Sequence, residues 1–167
     1  IGIEGQVILG AIFCTGALMP VTEGGRAHVA LALGAGMVGG ALWALVSGWL
    51  KTRGRVHEIF SGLGLNFVAT GLTIWLIFGP WKRPGVASMS GTEMLPQELW
   101  LNFSSFFRIS PEAFFGTILI VLFTAVFLGY TKAGLKLKAM GCNPGAAHMY
   151  RIDISAYMLL AMLFAGG

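Results

Sequence analysis

Apolar residues in this chain gather into five runs separated by short polar punctuation. Three are long: Val29 to Leu50, Ile59 to Trp81 and Phe114 to Tyr130. A membrane-crossing helix needs about twenty predominantly apolar residues, with a lower limit near seventeen. Each of these runs meets it. The remaining two, Gln6 to Val21 and Ile154 to Gly167, hold sixteen and fourteen residues. Fourteen residues of helix reach roughly 21 Å, against a hydrocarbon core of about 30 Å. Both short runs stop at the chain ends rather than at polar residues. The expected fold class is therefore all-α: a polytopic transmembrane helical bundle of about five spans, the first and last truncated, cut from a longer protein.

Composition agrees. Hydrophobic residues make up 56%, charged residues 11%, and the mean hydropathy is +0.77, whereas soluble domains carry about 25% charge. The net charge of +4 does not point to nucleic acid, because the lysines and arginines sit in the gaps between apolar runs rather than among surface aromatics. Cys14 and Cys142 have no CxxC or histidine spacing, so neither a disulfide nor a metal site is expected. The opening IGIEGQV lacks an initiator Met, a basic n-region and a small-residue cleavage site, and is not a signal peptide.

Charge also sets the orientation. With five alternating spans, Lys51, Arg53, Arg55 and the segment 132–153 share one side and contribute seven lysines and arginines; the Glu23–Arg26 turn and the segment 82–111 share the other and contribute four. The positive-inside rule makes the seven-charge side cytoplasmic. Residues 82–111 become an extracytoplasmic loop, partly amphipathic through Leu95, Leu99, Trp100, Phe103, Phe106 and Phe107, expected as a short interfacial helix. Trp81 and Trp100 are expected at headgroup level, Trp43 and Trp75 deeper, as packing residues.

Two further patterns concern the interior of the spans. Gly34, Gly36, Gly39, Gly40 and Gly48 fall in one span and Gly62, Gly64 and Gly71 in the next. Small residues let helix backbones approach closely in lipid, or mark broken helices around a path. Candidate translocation-path residues are Glu4, Gln6, Asn66, Thr70 and Thr73. Glu4 lies either at membrane depth, where it needs a partner or water, or at a helix start favoured by the dipole. Asn66, Thr70 and Thr73 make one polar stripe, facing either a neighbouring helix through hydrogen bonds or a cavity. Glu58, beside His57 and Arg55, opens its helix at the cytoplasmic edge, where a carboxylate complements the dipole.

The cytoplasmic segment 132–153, KAGLKLKAMGCNPGAAHMYRID, is far longer than a reversal requires. Asn143 is a favoured N-cap and Pro144 suits the first helical position. A short helix over about 144–151 follows, held at the membrane surface and presented to a partner. Enzyme signatures are absent: Lys51-Thr52 follows Leu50, so there is no P-loop, and His28, His57 and His148 have no ligand spacing. Any ATP-driven role requires an ATPase on another chain.

Four segments carry a resemblance in order and spacing. IGIEGQVILGA resembles an NIGxEGQ-type helix start. GALWALVSGWLKTR followed by VHEIFSGLGLNFVA resembles G-x-L-W-G-x-x-x-G-x-L-K and V-N-E-V-I-x-T-L-M-L-N-Y. GPWKRPG resembles the start of an outer loop. KAMGCNPGAAHMYRIDIS with AMLFAGG resembles R-A-x-G-x-N-P-x-A-A-x-Y-x-G-I and the small-residue helix after it. Together they resemble the central part of the permease subunit of ATP-binding-cassette importers, in the simple-sugar and nucleoside (branched-chain amino acid/ribose-type) branch. Departures are His57 for Asn, Gly62 and Gly64 for Thr and Met, and Arg151 for Gly.

The resemblance implies that residues 1–167 belong to one transmembrane permease domain in a bacterial cell (inner) membrane, passing small polar solutes, nucleosides or simple sugars foremost. It implies that Asn143, Pro144, Gly145, Ala146, Ala147, His148, Tyr150 and Arg151 form the coupling segment that docks on the ATPase. Gly145, Ala146 and Ala147 supply a low-profile surface, and His148, Tyr150 and Arg151 the contacts. Implied partners are that ATPase, which holds ATP and Mg, a second permease, like or unlike, and an extracytoplasmic solute-binding protein; this chain itself binds no cofactor. Two other classes compete: an ion-coupled secondary transporter, which needs charged intramembrane relays that the central spans lack, and a non-transporting scaffold. Co-purification of a P-loop ATPase separates them.

Overall fold

The computed structural model describes residues 2–20, 26–54, 56–83, 92, 110–150 and 153–167, without the side chains of Arg26, Glu58, Pro144 and His148. Seven helices appear among them: α1 (Ile3–Leu18), α2 (Arg26–Thr52), α3 (Glu58–Phe78), α4 (Pro111–Tyr130), α5 (Lys132–Cys142), α6 (Pro144–Met149) and α7 (Ile154–Gly166). Three stretches are long and apolar enough to cross a membrane, Ala27–Thr52, Ile59–Phe78 and Pro111–Tyr130, while Ile3–Leu18 and Ile154–Gly166 are shorter apolar helices. This is the all-α membrane bundle that the five runs predict. The Glu23–Arg26 turn, Arg55, the amphipathic positions from Leu95 to Phe107, and Arg151 lie outside the described residues or side chains.

Helix ends follow their caps rather than the edges of the apolar runs. Ser110 Oγ accepts from the Ala113 N–H at 3.2 Å, and Pro111 occupies the first turn, so α4 starts three residues before its apolar run. His57 caps α3: its ring Nδ1 accepts from the Ile59 N–H at 3.4 Å. Gly79 ends α3, its N–H bonded to the Trp75 carbonyl.

Two compact units form: Ile1–Leu99 with Met162–Gly167, and Trp100–Ala161. In the first, α1 runs antiparallel to α2 and parallel to α3. Gly5 abuts Trp43 and Gly10 abuts Gly36 across the first pair; Gly2 abuts Gly62 across the second, and Gly16 abuts Trp81 just beyond the end of α3. Small residues make this core, with Ala32, Ala44 and Ala69 at 1% exposure or less. A Cβ on Gly39 would stand 2.7 Å from the Phe13 ring, and one on Gly40 would overlap the Gly166 carbonyl. The close-packing reading thus holds for Gly36, Gly39 and Gly40, whereas Gly34, Gly64 and Gly71 face open space.

In the second unit, the expected loop 132–153 contains two helices rather than one. Thr131 joins α4 to α5: its hydroxyl donates to the Phe127 carbonyl at 2.6 Å and accepts from the Gly134 N–H at 3.0 Å. Gly134 then packs on the last turn of α4, where a Cβ would lie 2.7 Å from the Leu128 Cα. Asn143 repeats the device between α5 and α6. Asp153 Oδ1 accepts from the Ser155 and Ala156 N–H groups and starts α7.

Candidate functional site

The segment that the resemblance assigns to ATPase coupling is built on Asn143. Its backbone N–H closes α5 on the Ala139 carbonyl at 3.1 Å, its side-chain Oδ1 accepts from the Ala146 N–H at 3.1 Å, and its carbonyl takes the Ala147 N–H at 3.0 Å. The predicted cap and the Pro144 start both appear, and α6 ends at Met149 rather than 151. Its faces differ from expectation. Ala147 is 3% exposed and packs inward among the described residues, and Ala146 is half-buried. Exposed instead are Gly145, Tyr150 at 83% and Met149 at 87%. Met149 was not singled out from the sequence, because one apolar residue in a polar segment carries no periodic signal. The side chains of Pro144 and His148, and all of Arg151, lie outside the description.

The path candidates divide into three groups. Asn66, about 12 Å along α3 at 1.5 Å per residue, meets the first turn of α1. Its Oδ1 accepts from the Gly5 N–H at 2.9 Å, and its Nδ2 donates to Glu4 Oε2 at 3.1 Å. The opening N–H groups of a helix have no intrahelical acceptor, and the N-cap Gly2 has no side chain to offer. Asn66 therefore caps α1 from a neighbouring helix. Around Gly5 the fit is close: an added Cβ would lie 2.7 Å from Trp43 Nε1 and 2.9 Å from Asn66 Oδ1. The Trp43 indole N–H is buried there without a partner atom in the described structure.

Gln6 stands apart. It is 6% exposed, its Nε2 is buried without a partner among the described residues, and its carbonyl approaches Gly40 on α2. Thr70 and Thr73 donate to carbonyls of their own helix, Asn66 and Ala69, both at 2.9 Å. They line a groove of about 370 Å³ with Ile8, Ile12, Thr15 and Trp81. The polar stripe on α3 consequently serves both of its predicted purposes: Asn66 bonds a neighbouring helix, and the threonines face a cavity. Glu58 begins α3, as expected for a first-turn carboxylate, with its side chain outside the description. Gly5, Thr15 and Trp43 were not singled out as site residues, since their roles depend on interhelical register.

Among known proteins, the family described as "branched-chain amino acid transport system / permease component" matches residues 1–167. A glucose ABC transporter permease protein of Haloferax volcanii, TsgB13, is 29% identical over 99% of this chain and 46% of its own length. The guanosine ABC transporter permease proteins NupP and NupQ of Bacillus subtilis are 23% and 26% identical over 99% of this chain, and over 48% and 54% of theirs. This chain thus spans about half the length of the curated relatives it matches. No solved structure matches it. The match along the whole chain, joined to three helices of membrane-crossing length, makes this a multi-pass membrane protein that belongs to the permease-component family of branched-chain amino acid transport systems.

Proposed function

We propose that the protein acts as the membrane-spanning permease subunit of an ATP-driven importer in a bacterial cell (inner) membrane, with simple sugars or nucleosides as its solutes. Relatives named for glucose and guanosine support that solute class. The observation that carries the reading is α6: a helix started by Asn143 and Pro144 that exposes Gly145 and Met149, with Tyr150 exposed just beyond its end, in a basic segment. In this reading α6 seats on a separate ATPase subunit, which holds ATP and Mg, and transmits its closure to the membrane helices. A second permease, like or unlike, completes the path, and an extracytoplasmic solute-binding protein delivers the solute. Glu4, Asn66, Thr70 and Thr73 then belong to the wall of the translocation path, and Gln6 to its packing against α2.

The test is affinity purification of the tagged full-length permease from its host membrane. A soluble P-loop ATPase is expected to accompany it, and Gly145→Glu or Tyr150→Glu to release that ATPase while membrane insertion persists. Ala146→Glu is expected to lower uptake in the same way. Ala147→Glu, at a buried position, is expected to unfold the segment instead. Retention of the ATPase by both exposed-site variants sinks the docking reading.

A further inference from the structure

We propose that α5 is a headgroup-binding helix, which fastens the segment carrying α6 to anionic phospholipid on the membrane face where α4 ends. Between Thr131 and Tyr150 the chain carries Lys132, Lys136 and Lys138 and no acidic residue. At 100° per residue, Lys132, Leu135, Lys136, Lys138, Ala139 and Cys142 fall on one arc of α5. All six are exposed; on the opposite arc Ala133, Gly134, Leu137 and Met140 are buried or half-buried, and Gly141, near the helix end, is exposed. The helix therefore has an inner face packed within its own unit and an outer face that is uniformly cationic around one large apolar residue.

Two independent contacts fix the level of that outer face. On one side, a single linking residue separates α5 from Tyr130, the 89%-exposed last residue of the membrane-crossing α4, and Gly134 packs on the last turn of α4. On the other, Lys136 Nζ lies 5.4 Å above the ring of Tyr157, in the first turn of the apolar α7. Both neighbouring apolar helices end or begin beside α5, so its lysines lie at the headgroup layer. Leu135, 69% exposed between Lys136 and Lys138, gains cover from the acyl boundary while the ammonium groups reach outward to phosphate. An acidic protein edge would answer the lysines but leave Leu135 in water. This argument does not depend on the function proposed above.

The test uses the full-length permease without its ATPase, with an environment-sensitive fluorophore on the exposed Cys142 and other cysteines replaced by serine. The probe is a series of vesicles of phosphatidylcholine with rising phosphatidylglycerol. A blue shift that saturates with phosphatidylglycerol and reverses on adding salt is expected, because exposed charges are screened. Replacing all three lysines by glutamine is expected to raise the half-saturating phosphatidylglycerol fraction at least about fivefold, the factor one lysine contributes at an anionic surface. Replacing them by arginine preserves the response. Emission indifferent to phosphatidylglycerol overturns the proposal, as does a shift that appears only when the ATPase is added. Should the glutamine variant fail to insert, the salt titration of the labelled protein alone decides.

Discussion

Asn66 ties α1 to α3 with both ends of one side chain, capping the Gly5 N–H and holding the Glu4 carboxylate. Interhelical hydrogen bonds in membranes average about 0.6 kcal/mol and reach about 1.7. Losing two, one of them to a carboxylate, is then expected to cost about 1–3 kcal/mol. Asn66→Leu should lower the thermal unfolding midpoint of the detergent-solubilised permease accordingly. Glu4→Gln, which keeps an acceptor oxygen for Asn66 Nδ2, should lower it less. Equal midpoints for Asn66→Leu and the natural protein would show that this seam rests on packing alone. The packing itself is tight at Gly5, where no side chain fits between Trp43 and Asn66.

Among the elements, α5 and α6 depend on their joints. α6 has six residues, too few to persist without tertiary support. Loss of an N-cap costs about 1 kcal/mol, so Asn143→Ala is expected to melt α6 and Asn143→Ser to retain it, read as hydrogen exchange over residues 144–149. Exchange unchanged in Asn143→Ala would mean that packing on α5 suffices. The cap and proline of α6 were legible in the sequence because they act within four residues. Hydrophobic run length disclosed the three spans for a different reason: a bilayer demands about twenty apolar residues whatever the packing. α5 was not legible, since Gly134 and Gly141 each disfavour helix by about 1 kcal/mol. What offsets Gly134 is its fit against the end of α4, a tertiary contact with no local signature. The burial of Ala147 was not legible for the same reason: a small residue suits an exposed surface and a buried seam equally well.

At the scale of the molecule, the first unit is held by small-residue seams and the Asn66 joint, not by a core of large side chains; no large side chain among the described residues is fully buried. In lipid that is sufficient, because apolar faces exposed to acyl chains are not penalised. The groove along α1 and α3 is then the feature that separates a transport path from a mere crease facing lipid. Thr70 and Thr73 donate their protons to their own helix, which leaves their oxygens to serve the groove as acceptors for the hydroxyl donors of the sugar or nucleoside proposed above. Such back-bonding slightly destabilises helices, so valine should fold at either position without loss. If the groove is the path, the double variant Thr70→Val, Thr73→Val should reach the membrane at the natural level, keep its ATPase and take up solute at least several-fold more slowly. Thr73→Trp, which fills the groove, should abolish uptake. Solute uptake normalised to membrane-inserted protein, with ATPase co-purification as the control for assembly, measures both. Uptake at the natural rate in both variants would assign the groove to lipid and remove Thr70 and Thr73 from the path.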